Sequence, residues 1–152
     1  MSVPRLVASW VVAVLAAACA SDGMPGPTAG LTHAAATRAC GPTDGPAVAI
    51  YLAAAPVESL EPATPYVRIY VWQPPERLAG RSWVLAGGEP EGAAWLHSTA
   101  KDYEVATSGR VTVNAVAADS TIEGVADLTF PRGGRVRAGF RAAWLSRTVL
   151  CG

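Results

Sequence analysis

Histidine is scarce in this chain: of 152 residues, only His33 and His97 carry an imidazole. His33 falls in a stretch read below as a tether, so His97 is the one neutral-pH base that a folded domain could offer. Other marks of catalysis are missing from the sequence. No Gly-x-Ser-x-Gly elbow occurs. No His, Cys and carboxylate cluster has zinc spacing, and Ala86-Gly87-Gly88 lacks the Lys and the spacing of a phosphate loop. Charge is sparse and balanced, with 12 Lys and Arg against 12 Asp and Glu and only 16% of residues charged. That excludes the basic surface that nucleic acid requires. The expectation is a protein that is not an enzyme, with no metal, no cofactor and no nucleic-acid partner.

No apolar run is long enough to span a membrane, and the one near the start has a special setting. Residues 6–18 hold no charge and follow Arg5. A run of about 13 residues suits the apolar part of a signal peptide, whereas a membrane-spanning helix needs about 20. Ser21, Asp22, Gly23 and Pro25 prevent its extension. Small residues at Ala16-Ala17-Ala18 would admit a signal peptidase, and Cys19 comes next.

Leu15-Ala16-Ala17-Ala18-Cys19 resembles the lipobox of bacterial lipoproteins, with the Leu one step further from the Cys than usual. The resemblance covers the leader alone. It implies cleavage before Cys19, acylation of its thiol and anchoring in membrane lipid, since two or three acyl chains hold where one does not. Ala20, in the place where Asp would retain such a protein in the inner membrane, implies an outer-membrane location in a Gram-negative host.

Cysteine arithmetic agrees. The three Cys are Cys19, Cys40 and Cys151, an odd count for an exported chain. Acylation of Cys19 leaves a single possible pair, Cys40 with Cys151, which would clip the first strand of a domain to its last. Residues 20–39 are small, bear Gly and Pro and show no apolar periodicity, as a flexible tether would. The organisation predicted is a signal peptide over 1–18, a lipid-anchored tether over 19–39 and one domain over 40–152.

Within that domain, apolar residues alternate with period two between Gly, Pro and Asp clusters. Val48, Ile50 and Leu52 share one strand face, and Val67, Ile69 and Val71 another. Residues 82–86 and 93–98 form shorter candidates. Val111 and Val113 begin a further strand, which Asp119-Ser120 ends in a turn. Ile122, Gly124, Ala126, Leu128 and Phe130 face inward from the next, as do Val136, Ala138, Phe140, Ala142 and Trp144 from the last. A loop of Arg132-Gly133-Gly134 would set Phe130 opposite Val136, Ala126 opposite Phe140 and Gly124 opposite Ala142, balancing large against small. The fold class expected is all-β, a single antiparallel β-sandwich, immunoglobulin-like only in the loose sense because the Cys spacing differs from antibody domains. Trp83, Trp95 and Trp144 read as core or barrel-end packing whose indole N–H groups need partners.

Two surface features carry the functional reading. Arg135, Arg137 and Arg141 on the last strand face Glu123 and Asp127, which reads as a solvated face of ion pairs. The outer face of the second strand reads Tyr66, Arg68, Tyr70, Trp72, a row with large contact area at low entropy cost. The function expected is an envelope-anchored lipoprotein whose non-catalytic β domain binds an envelope protein or glycan through that row. A purely structural or assembly role stays open, as does a small hydrolase built on His97 or on a carboxylate pair such as Asp102 and Glu104.

Overall fold

Alternation sorts the side chains as the sequence predicts. Val48, Ile50, Leu52, Val67, Ile69 and Val71 are all buried in one core, together with Ile122, Ala126, Leu128, Phe130, Val136, Phe140 and Ala142 from the far end of the chain. The computed structural model describes residues 30–87, 90–117, 121–145, 149 and 151. The expected signal peptide, Cys19, the first part of the expected tether and the expected turn at Asp119-Ser120 lie outside the described residues.

The described residues form nine strands: β1 (His33–Cys40), β2 (Pro46–Ala53), β3 (Tyr66–Val71), β4 (Arg81–Val84), β5 (Gly92–His97), β6 (Tyr103–Val105), β7 (Ser108–Val116), β8 (Thr121–Phe130) and β9 (Gly134–Trp144). A single 3-10 turn, Pro75–Arg77, precedes β4. The protein is all-β, and its strands form one continuous sheet in the order β4-β7-β8-β9-β1-β2-β3-β5-β6. The sheet curls into a half-barrel, so its two ends share the core. This differs from the antiparallel sandwich expected, because one pairing is parallel: β1 meets β9 at Ala35↔Ala143 and Ala36↔Trp144.

β1 is the cause of that difference, and it corrects the domain boundary as well. The tether predicted through residue 39 is a central strand from His33 onward, antiparallel to β2 along its whole length, from His33↔Ala53 to Cys40↔Pro46. Ala35, Ala36 and Thr37 are buried there. Small side chains form a strand here because hydrogen bonding on both edges and burial on both faces outweigh weak intrinsic propensity.

The chain joins the two halves a second time at residues 103–116. β6 pairs with β5, the Ala106 amide donates to the Ala94 carbonyl, and the Thr107 amide donates to the Thr129 carbonyl. β7 then continues between β4 and β8.

The β8–β9 hairpin keeps the predicted inward faces in a different register. Phe130 is opposite Gly134, Leu128 opposite Val136, Gly124 opposite Phe140 and Ile122 opposite Ala142. A slip of two residues leaves every side chain on its own face, so alternation cannot detect it. Volume decides: a Cβ on Gly124 would collide with the Thr112 carbonyl oxygen and stand 2.7 Å from Phe140 Cζ. The Phe140 ring fills the space that Gly124 leaves. Gly134, at φ 68°, takes the left-handed turn position.

Cys40 and Cys151 form the expected disulfide, with Cα atoms 5.6 Å apart and a sequence separation of 111. It fastens the end of β1 to the segment that follows β9. A C40A/C151A double variant is expected to lose about 4–5 kcal/mol of stability by the chain-entropy relation, read from urea denaturation. Gly124→Ala should cost about 1–3 kcal/mol through overpacking. Gly45→Ala, where an added Cβ meets nothing within 4 Å, should leave the urea midpoint nearly unmoved.

Candidate functional site

Register alone assembles the outer face of the β2-β3-β5-β6 half. Tyr51, Arg68, Trp95 and Val105 align across the four strands, and Ala53, Tyr66, His97 and Tyr103 form the adjacent row. Tyr70 lies between Ala49 and Ala93. The alanines leave room beside its ring.

The aromatic row predicted along β3 divides into three environments. Tyr66 is buried, its ring stacked on His97 with centroids 4.5 Å apart and tilted against Tyr51 at 6.3 Å. Val57 and Leu60 of the β2–β3 connection pack on this small cluster, so Tyr66 is part of a second core rather than a contact surface. Burial accordingly pushes the Tyr66 hydroxyl above its ordinary range.

Arg68 and Tyr70 remain half-buried and form a cluster with Trp95. Tyr70 and Trp95 meet edge to face at 5.6 Å and 87°. The Arg68 guanidinium carbon lies 5.5 Å from the Tyr70 ring centre and 5.4 Å from that of Trp95, within cation–π range of both. Among the described residues, the buried Arg68 Nε has no hydrogen-bond partner and no carboxylate pairs with this side chain. Beside it opens a groove of about 340 Å³, lined by Thr37, Arg38, Tyr51, Glu61, Arg68 and Tyr70.

Trp72 stands apart, past the end of β3. Its ring packs over Gly41, where a Cβ would lie 3.6 Å from Cγ and Cδ1. It forms one wall of a second groove, about 440 Å³, together with Pro42, Pro46, Pro74 and Pro90.

The other tryptophans are placed by their partners. Trp83 is in the core, and Trp144 Nε1 donates to the Ala117 carbonyl at 2.9 Å. Trp95 corrects the sequence reading, for it lies half-buried on the outer face beside Arg68 rather than in the core. The parity that sends Ala94 and Leu96 inward sends Trp95 and His97 outward, so the signal was present in the sequence.

Two of the three arginines on the outer face of β9 are ion-paired, and Arg137 has no ion pair among the described residues. Arg135 donates two hydrogen bonds to Asp127, at 2.7 and 2.6 Å, and Arg141 meets Glu123 at 3.2 Å. These hydrogen bonds hold the Asp127 carboxyl below its ordinary range. The broad hollow beside them, about 630 Å³, is floored by exposed strand residues such as Val84 and Val125.

The acid–base candidates are engaged elsewhere. Asp102 Oδ1 accepts from Arg132 Nη2 at 2.9 Å, and Glu104 Oε2 accepts from the Arg132 amide at 2.7 Å. Together they tie the β5–β6 hairpin to the β8–β9 turn. Ser98 donates to Asp102 Oδ2 at 3.0 Å, not to the neighbouring His97. The His97 ring lies between Tyr66 and Tyr103, at 4.5 and 5.6 Å, and its Nε2 is buried without a hydrogen-bond partner among the described residues. Among the described residues, no three His, Cys, Asp or Glu side chains gather as metal ligands would.

No family model matches the chain, and neither the curated proteins nor the solved structures contain a match to it.

Burial first, and then the Arg68 charge, push the His97 imidazole below its ordinary range. The unfolded chain therefore takes up this proton more readily than the folded one. The stability concerned is complete above the ordinary histidine value, about 6.5, and is lost as pH falls from there toward the lowered folded value. Between about pH 7.5 and about pH 5.5 the urea midpoint should fall for the unaltered protein, and His97→Gln should flatten that fall. An unchanged slope would mean that His97 does not contribute to it.

Proposed function

We propose that this chain is an exported envelope lipoprotein, anchored through an acylated Cys19, whose half-barrel is a non-catalytic module that binds an envelope glycan. The observation that carries the reading is the Arg68–Tyr70–Trp95 cluster: a half-buried cation, cradled by two aromatic rings, with no charge partner among the described residues and a groove beside it. Aromatic and Arg side chains concentrated at one concave place are the usual makings of a recognition site.

The direction of β1 supports an anchored arrangement. The strand begins at His33 and ends at Cys40. The 340 Å³ groove is lined by Thr37, Arg38, Ala39 and Cys40, and the 440 Å³ groove by Gly41 to Pro46 on one side. An anchor upstream of Gly30 thus enters at the opposite end of the strand, whose His33 end stands about 13–23 Å from Thr37 to Cys40 at strand spacing. Both grooves would face away from the membrane.

Two measurements test the reading. Intact mass of the membrane-extracted protein should show loss of residues 1–18, added acyl mass, and a gain of two hydrogens on reduction. A mature chain without acyl mass would remove the anchor from the proposal. The mature protein should also co-sediment with purified peptidoglycan sacculi, and a Y70A/W95A variant should not. Equal sedimentation of both would remove the site.

A further inference from the structure

We infer that the group this site reads is a carboxylate, seated on Arg68 and carried by a molecule the size of a sugar acid. The inference rests on the binding role proposed above and names its ligand chemistry.

A guanidinium is charged at every accessible pH and carries five N–H donors in a planar fork. Buried charges in folded proteins are normally paired, because an unpaired one forfeits its hydration without return. Arg68 has the ring faces of Tyr70 and Trp95 near its guanidinium. Ring faces attract the charge but accept no conventional hydrogen bonds, so they compensate the cation and satisfy none of its N–H donors. The buried Nε has no acceptor among the described residues. Two parallel N–H···O bonds to one planar oxyanion are what such a fork is shaped to make.

Charge around the groove selects among oxyanions. Its lining carries two cations, Arg38 and Arg68, and one carboxylate, Glu61. Arg38 is half-exposed, and its ion pair with Glu76 is long, at 3.9 Å. One excess positive charge matches a monoanion such as a carboxylate and disfavours a doubly charged phosphate. Size narrows the choice further. At about 340 Å³ the groove is near the lower end of ligand sites, which span about 300–1,000 Å³. It admits a single acidic ring or a short organic acid and excludes the surface of a folded protein. Because Arg68 already occupies space beside the Tyr70 and Trp95 rings, these aromatics orient the cation; they are not a free stacking platform for a neutral sugar.

The test is calorimetric titration of the full mature protein with four probes: galacturonic acid tetramer, its methyl ester, free galacturonate and inorganic phosphate. The tetramer should bind, and esterification, which removes the charge and keeps the ring, should weaken it about tenfold or more. Arg68→Gln should weaken the acid by a similar factor, and Arg68→Lys should not restore it, since an ammonium lacks the fork. Glu61→Gln should tighten binding, a change that a merely structural role for the groove would not produce. Equal affinity for acid and tetrameric ester, indifference to Arg68→Gln, or tighter binding of phosphate would overturn the carboxylate, as would no binding by any acid probe. Free galacturonate binding as tightly as the tetramer assigns the site to a free acid; a weaker monomer assigns it to a polymer. If Arg68→Gln fails to fold, the acid-against-ester comparison on the unaltered protein decides alone. Sedimentation with sacculi that depends on Tyr70 and Trp95 but not on Arg68 would leave the binding role standing and remove this inference. Loss of both would remove both.

Discussion

β1 is the strand on which the architecture depends. It hydrogen-bonds to β2 along one edge and to β9 along the other, and without it the sheet would part into a β4-β7-β8-β9 group and a β2-β3-β5-β6 group held by the bonds of Ala106 and Thr107. Each group would then expose one wall of the shared core. The two walls bury Val48, Ile69, Leu128 and Phe130 against one another, and that burial is the main source of stability. A single parallel contact over Ala35 and Ala36 therefore turns two sheets into one. The disulfide at Cys40 and the Arg132 bonds to Asp102 and Glu104 secure the same closure from other positions.

The outer face of the β3 half is a consequence of this closure. With the inner face committed to the core, Tyr66, Arg68 and Tyr70 must point outward, and their fates then differ by what lies above them. The β2–β3 connection covers Tyr66 with Val57 and Leu60. Arg68 and Tyr70 have instead a groove at their side. One strand face thus supplies both a small second core and an open recess, and the boundary between them falls within three residues.

Much of this was legible in the sequence, because period-two alternation is local. The inward sets on β2, β3, β8 and β9 and the strand character of the domain followed from it directly, and the cysteine count led to the Cys40–Cys151 pair. What escaped was non-local. Between His33 and Cys40, β1 holds only Ala, Thr and Arg, and its strand character comes from its neighbours in the sheet, so no local pattern announces it. The β8–β9 register differs by two residues from the one that volume balance suggested, since both registers keep the same faces and only the fit of Phe140 over Gly124 separates them. Arg68 was identified as a candidate, but its cradle was not, because Trp95 reaches it only through the β3–β5 pairing.

The central position of β1 also bears on mechanical load. A pull on the chain upstream of His33 acts along the axis of β1, and its hydrogen bonds to β2 and β9 run roughly across that axis. They are loaded together in shear, rather than opened one after another as at a sheet edge. The Cys40–Cys151 bond lies at the far end of the same strand and passes the remaining tension covalently to the segment after β9. Drag on the domain from any upstream attachment therefore meets the strand that is hardest to withdraw. Forced unfolding is governed by the unfolding rate, so this arrangement favours persistence under tension over equilibrium stability alone.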